Sequence, residues 1–433
     1  MNGSATNPPD AGPARRDPDV LVLGAGIAGL FCAYFLRRGG ASVTVLDRGP
    51  VGGPQTCSSG NTGFVGTQGA APLAEPGVLA QGLRWLASSR SPFSVKPRPS
   101  AELASWLWQF RRRCNEADAR ACFGLLLEMK RRSLDILREV CAEPDLAGSF
   151  LMPGMVVAFK TAQGFDKACR SVPQAVARGV PLRVLGTAEL RELEPDTDFD
   201  ISGALFNAEG AALRVPEFVL AFAAMLADLG VEIVGDAEVT GFGVAGSRIE
   251  RVRTAHGDFA PGEVVVATGA WSARCARLLG VRLLLQAAKG YAITVPAPPA
   301  GPRLPVLLSE GKVALMPLGD RLRFGGTLEL AGLDTSVAQR RVDGIVATVR
   351  SYLPGLEISP TRQVWSGLRP CTPDSLPFLG RVTRYQNLSL ACGHGYIGMG
   401  LAPVGGRMIA QVLAGEQPEM DLAPFRADRF GRA

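Results

Sequence analysis

Along residues 19–48, DVLVLGAGIAGLFCAYFLRRGGASVTVLDR, a short apolar run meets closely spaced glycines and then an amphipathic stretch. This order predicts strand, turn, helix, strand. Residues 85–143 carry helical spacing, with Trp106, Leu107 and Phe110 on neighbouring turns and Arg111, Arg112 and Arg113 facing solvent. Residues 151–159, 287–294, 313–316 and 322–327 read as strands of a second sheet. An amphipathic helix over 216–230, a strand over 231–234 and the apolar run EVVVATGAW at 263–271 return the chain to the first sheet. The pattern therefore predicts an α/β chain that crosses several times between two interleaved domains, with a ligand pocket at their interface.

Length and composition agree with this picture. At roughly 150 residues per domain, 433 residues allow two or three domains or one woven through another. Hydrophobic residues make up 47% and charged residues 20%, which excludes a disordered or collagen-like chain. The net charge of +6 is spread along the sequence rather than gathered in a stripe, so no nucleic-acid partner is expected. No apolar run reaches the 18 or more residues of a membrane-spanning helix. Residues 1–17 are rich in Pro, Gly, Ala and Asp, lack the apolar core of a secretory signal and read as a disordered tail. Nine scattered cysteines with no CxxC pair suggest reduced thiols in a cytoplasmic protein, and two histidines make a metal site or a Ser-His-Asp hydrolase a poor proposal.

The candidate chemistry begins at Gly24, Gly26 and Gly29, a GxGxxG set. The first permits a tight turn, the second lets backbone approach a pyrophosphate, and the third lets helix and sheet pack closely. Asp47 follows 18 residues after Gly29, where an acid accepts hydrogen bonds from a ribose diol. This fingerprint alone does not separate NAD from FAD. The turn CSSGNTGFV at 57–65 is able to approach phosphates or a flavin with backbone amides, or is an ordinary loop. In GLRPCTPD, Pro370 and Pro373 stiffen the segment around Arg369, whose planar fork suits either a substrate carboxylate or a structural ion pair. Tyr291 and Tyr396 are candidates for the pocket wall or for the core.

The segments LGAGIAGL, SSGNTGFV, GYAITVP, LRFGG, WSGLRPCTPDSLPFLG and CGHGYIGMGLAPVGGRMIAQVLAG occur in an order that resembles the D-amino acid oxidase-like family of FAD enzymes, from about residue 19 to the C-terminus. Within it the sequence is similar to the bacterial D-amino acid dehydrogenases of small-subunit type. The resemblance implies a discontinuous Rossmann-like FAD-binding domain over 18–84, 205–280 and 366–433. Interleaved with it is an α+β substrate domain with a mixed, largely antiparallel sheet over 85–204 and 281–365, carrying a helical insertion at 85–145. It implies FAD contacts from Gly24, Ala25, Gly26, Ile27, Ala28, Gly29, Asp47 and Arg48, and from Ser59, Gly60, Asn61, Thr62 and Gly63. Further contacts are expected from Val239, Thr268, Gly269, Arg369, Gly393, His394, Gly395, Tyr396 and Ile397.

The catalytic set expected is Arg369, Tyr396, Tyr291 and His394, with Arg369 on the substrate carboxylate and His394 a flavin contact rather than a metal ligand; no metal is expected. Gly367 stands where sarcosine oxidases carry the cysteine that bonds flavin, so non-covalent FAD is expected. Arg323 stands where those oxidases carry a lysine that promotes reaction with oxygen, a pattern shared with the dehydrogenases. The expectation is oxidative deamination of a small amino or imino acid, D configuration favoured, with hydride passing from Cα to flavin N5 and electrons onward to quinone or another respiratory acceptor. Alternatives are an oxygen-using glycine, sarcosine or D-amino acid oxidase, a D-hydroxyproline dehydrogenase, or a flavin electron-relay subunit. Attachment to the inner face of the cell membrane is left open.

Overall fold

The computed structural model describes residues 17–67, 69–86 and 92–431. The expected tail lies outside the described residues apart from Asp17, as do residues 87–91 of the expected insertion. Strand Val20–Leu23, helix Ile27–Arg38 and strand Val43–Leu46 form the predicted unit. Both strands are buried throughout, the pattern of a parallel sheet covered on both faces. Their sheet has six strands, in the order Phe378–Arg381, Leu388–Cys392, Glu263–Val266, Val20–Leu23, Val43–Leu46 and Glu232–Val234. All pairs are parallel except the edge hairpin Phe378–Arg381 with Leu388–Cys392.

The C-terminal helix Ala402–Leu413 crosses the helix Ile27–Arg38 at Gly406, where a Cβ would lie 2.6 Å from the Phe31 backbone carbon. Only a glycine permits that approach. The long helix Glu116–Val140 packs on the same layer, its Leu126, Met129 and Leu137 sharing one core with Leu30, Phe31, Val404 and Met408. Part of the expected helical insertion thus covers the nucleotide-binding half rather than the substrate sheet, because its apolar stripe faces the C-terminal helix. On helix Ala101–Arg113, Trp106 is buried and Phe110 stacks on it, whereas Leu107 is exposed.

The second sheet has nine strands. Next to its edge is the long strand Gln286–Pro296, paired antiparallel with Arg321–Leu330 on one side and with the edge strand Gln363–Cys371 on the other. The pairing with Gln363–Cys371 runs unbroken from Gln286↔Cys371 to Thr294↔Gln363, so this strand lies wholly in the large sheet. The crossing back to the nucleotide sheet therefore follows residue 371 rather than 366. A small sheet of Val239–Ala245, Arg248–Thr254 and Gly257–Phe259, not anticipated from sequence, follows the six-stranded sheet's edge strand Glu232–Val234.

Candidate active site

A cleft of about 600 Å³ runs along the C-terminal ends of the parallel strands, where nucleotides lie in doubly wound folds. Gly24 has φ +110°, and a Cβ there would sit 2.5 Å from the Ala267 carbonyl oxygen. A Cβ at Gly29 would lie 1.8 Å from the Gly24 carbonyl oxygen, so this glycine sets how closely helix meets strand. Gly26 caps the helix without a side chain, leaving first-turn N–H groups facing the cleft. The Ile27 N–H donates to Ser58 Oγ at 3.0 Å. Asp47 is held with one carboxylate oxygen 2.7 Å from the Ala25 N–H and the other 3.1 Å from the Gly49 N–H. Burial raises its carboxyl pKa above the usual range, against the pull of these donors.

The cleft is lined by Gly24, Gly26, Ile27, Ala28, Asp47, Arg48, Asn61, Val239, Thr268, Gly269, His394 and Gly395. Ala25 and Gly29 shape the turn from behind it. In the 57–65 turn, Cys57 and Ser58 take the wall positions expected of Ser59 and Gly60. Ser59 donates its hydroxyl to the Gly52 carbonyl. The Thr62 methyl fills the space over Gly325, and Gly63 folds back under the Leu213 carbonyl. Trp365 lies against Gly60 and Gly367, each of which would clash with its ring if it bore a Cβ, and its indole N–H donates to the Pro54 carbonyl at 2.6 Å. Trp271, with the Arg48 guanidinium stacked 3.6 Å from its ring centroid, and Arg274 also line the cleft and were missed from sequence. The adjoining GAW turn was the signal for Trp271.

Arg323 is buried and gives its Nη1 to the carbonyls of Asn61 at 2.8 Å, Val215 at 3.1 Å and Ser59 at 3.3 Å, and its Nε to Thr294 Oγ1 at 3.1 Å. It pins the turn. Burial lowers its pKa.

At the far end of the cleft the wall is formed by Leu368 and Pro370, the residues on either side of Arg369 in strand Gln363–Cys371. Arg369 is half-buried and donates Nη1 to the Thr327 carbonyl at 2.5 Å. Among the described residues no carboxylate forms an ion pair with it. Its charge reaches Cys57, Cys371 and Tyr396, opposing in each the rise in pKa that burial causes. The Tyr396 phenol donates to the Ala71 carbonyl at 2.8 Å. Gly393 takes φ +81° at the turn into the short helical segment Gly395–Gly400, which separates the last strand from the C-terminal helix. Ile397 is core.

His394 meets the cleft, but its ring packs on the C-terminal helix, with Nε2 3.3 Å from where a Gly405 Cβ would be. Nε2 is buried and has no hydrogen-bond partner. Burial lowers the imidazole pKa to about 4, so the ring is neutral at neutral pH.

Tyr291 is a correction. It is 1% exposed and belongs to the core beneath helix Gln339–Tyr352, its hydroxyl donating to Glu329 at 2.9 Å. The strand register explains this. Arg369 pairs with Ala288, so Arg369, Gly290 and Gly367 share one face of the sheet, and Tyr291, paired with Ser366, points to the other.

A family profile described as "DAO: FAD dependent oxidoreductase" matches residues 19–412. The D-amino acid dehydrogenase of Granulibacter bethesdensis is 31% identical over 418 residues, covering 95% of this chain and 99% of that protein. The chain belongs to the DAO family of FAD-dependent oxidoreductases. The D-amino acid dehydrogenase of Methylobacterium radiotolerans is 33% identical, covering 93% of this chain and 97% of that protein. Among solved structures, glycine oxidase from Geobacillus kaustophilus superposes with a TM-score of 0.75 at 23% identity, covering 96% of this chain and 99% of that one. L-Proline dehydrogenase from P. horikoshii does so at 0.72 and 21%, covering 96% and 98%. At such identities these structures establish the fold of the DAO family. The cleft fits the family's cofactor: Gly24 makes a turn that a Cβ would obstruct, and a helix whose N-cap Gly26 carries no side chain opens onto it.

Proposed function

We propose that this DAO-family chain is an FAD-dependent dehydrogenase of small amino or imino acids, D configuration favoured, binding FAD without a covalent link. The observation that carries the reading is Arg369, a guanidinium flanked in its strand by two cleft-lining residues and with no carboxylate of its own among the described residues. The names of its relatives support the substrate class.

Bound in the cleft, FAD supplies the acceptor for the hydride that leaves Cα. The chain's own residues do the rest. The helix N-terminus at Gly26 and the backbone around Gly24 receive the pyrophosphate, and Asp47, Arg48, Val239 and Thr268 enclose the adenosine half. Arg369 takes the substrate carboxylate through paired N–H donors, which orients Cα toward the ring. Tyr396 closes that end. No histidine acts as base, since the His394 ring packs on the C-terminal helix with its Nε2 buried; positioning and desolvation carry the step. A Cβ at Gly367 would meet the Trp365 ring at 2.0 Å, which supports a non-covalent flavin.

In this reading electrons leave to quinone or another respiratory acceptor rather than oxygen. Arg323 supports it, because its charge is fixed to three carbonyls instead of standing free near the ring. Among the described residues no helix is long and apolar enough to cross a membrane. Contact with the membrane surface has a candidate in helix Ala101–Arg113, where Trp108 is 58% exposed beside exposed Leu107, Arg111 and Arg112. The test is anaerobic bleaching of the flavin by D- and L-amino acids, glycine, sarcosine and hydroxyproline isomers, followed by air. Bleaching by a D-amino acid with slow reoxidation is expected. Prompt reoxidation with peroxide would make the chain an oxidase, and no bleaching would remove the amino-acid chemistry.

A further inference from the structure

The strand Arg321–Leu330 departs from its regular ladder at one place. Lys289 pairs with Glu329, but the next pair is Tyr291 with Gly326, so Thr327 and Leu328 together oppose Gly290 alone. This is a β-bulge. Thr327 within it has φ +69°, the only β-branched side chain in the left-handed region among the described residues. Such a conformation is strained and persists where its surroundings dictate it. Here it turns the Thr327 carbonyl out of the ladder and onto Arg369 Nη1.

Gly290 completes the arrangement from the facing strand. A Cβ there would lie 2.2 Å from Arg369 Cζ, so the guanidinium rests over bare backbone. The two neighbours of Gly290 point to the opposite face and both reach Glu329, the residue just after the bulge. Tyr291 Oη is 2.9 Å from Glu329 Oε2, and Lys289 Nζ is 3.8 Å from the same oxygen. Lys289 also holds Asp334 at 3.1 Å and the Ser336 carbonyl at 3.0 Å in the loop beyond. The Lys289 and Glu329 side chains are 2% and 9% exposed. A buried ion pair is weak evidence for stability, and its better attested use is to specify register. Register is what a bulge needs, since a slip of one residue exchanges the faces of the strand.

We propose that the Thr327–Leu328 bulge and the Lys289–Glu329–Tyr291 cluster behind it form a positioning device for Arg369. They fix one edge of the guanidinium on the Thr327 carbonyl so that its remaining N–H groups face the substrate carboxylate. The proposal rests on the reading of Arg369 as the carboxylate-binding residue. Glu329, Tyr291 and Lys289 touch no substrate and act through the strand, which gives Tyr291 a role from behind the pocket wall.

The test uses the FAD-loaded enzyme with D-alanine, and with propanoate, its counterpart lacking the amino group, titrated through its perturbation of the flavin spectrum. In Glu329→Gln and Tyr291→Phe, KM for D-alanine and Kd for propanoate should rise together by about tenfold, the effect of roughly one lost hydrogen bond to a charged group. Turnover at saturation and flavin content should stay near wild type. Glu194→Gln makes the same change at another buried carboxylate, one that accepts the Arg303 and Leu304 N–H groups. It should lower the melting temperature and leave propanoate binding alone. Should Glu329→Gln fail to fold, Tyr291→Phe removes a single hydroxyl from the same cluster and decides the matter. Unchanged propanoate affinity in the variants, or a loss of turnover with affinity intact, overturns the proposal. If wild-type enzyme neither bleaches with any amino acid nor binds propanoate, the reading of Arg369 falls first and takes this one with it.

Discussion

The two ends of the cleft are built from different materials. The proposed nucleotide end is largely backbone, with Gly24, Gly26 and the Ala267 carbonyl supplied by adjacent strands and one turn. The proposed substrate end is a side chain, Arg369, whose place depends on Thr327, Gly290 and Glu329 from strands far apart from it in sequence. A backbone site tolerates most side chains but no Cβ at a few points. A side-chain site tolerates changes nearby yet depends on the pairing of distant strands. The two ends should therefore fail separately under mutation.

The largest expected effect is at the substrate end. Arg369→Ala should weaken substrate binding by about 2–5 kcal/mol, seen as a steep rise in KM in steady-state kinetics, with flavin content kept. Unchanged apparent affinity would remove Arg369 from the site. At the nucleotide end, Gly24→Ala adds positive-φ strain and a 2.5 Å contact with the Ala267 carbonyl oxygen. Purified protein should lose most of its flavin, for a cost of roughly 2–4 kcal/mol, while whatever fraction retains FAD keeps its KM. A variant altering both properties alike would erase the distinction between the two ends.

His394 lies between the ends, and its effect is on stability. The folded pKa of about 4 lies below the ordinary 6.5, so the unfolded chain takes up the proton first as pH falls. The stability that depends on the neutral ring is complete above pH 6.5 and is lost as pH falls toward 4. Urea unfolding of wild type should show about 2 kcal/mol of this loss between pH 7 and pH 5, and His394→Asn should lack that component. The smallest effect is expected at Asp47. Asp47→Asn keeps an acceptor for the Ala25 N–H but loses the charge, and should weaken FAD about fivefold to tenfold by fluorescence titration.

The same contrast explains what could be read from sequence. The GxGxxG turn, its helix and Asp47 lie within 30 residues, and each glycine answers a local steric demand, so the whole unit was visible. Arg369 was visible as a candidate because Pro370 and Pro373 follow it closely and stiffen its segment. Tyr291 was misplaced because its face depends on pairing with Ser366, 75 positions away, and alternation within one strand does not say which face meets the ligand. Ser59 and Gly60 were expected on the wall where Cys57 and Ser58 stand, because the turn's path is set by Arg323 from a distant strand. The bulge at Thr327 left no signal of its own in the apolar run LRFGGTLEL.

The strand order of the parallel sheet has a consequence for synthesis. Val20–Leu23 is made long before the segments that complete its surroundings, since the layer covering its helix is completed by Ala402–Leu413 and the sheet's far edge by Phe378–Arg381 and Leu388–Cys392. The glycine-rich unit therefore cannot be covered until those distant segments have been made, and its apolar surface is open to aggregation during that interval.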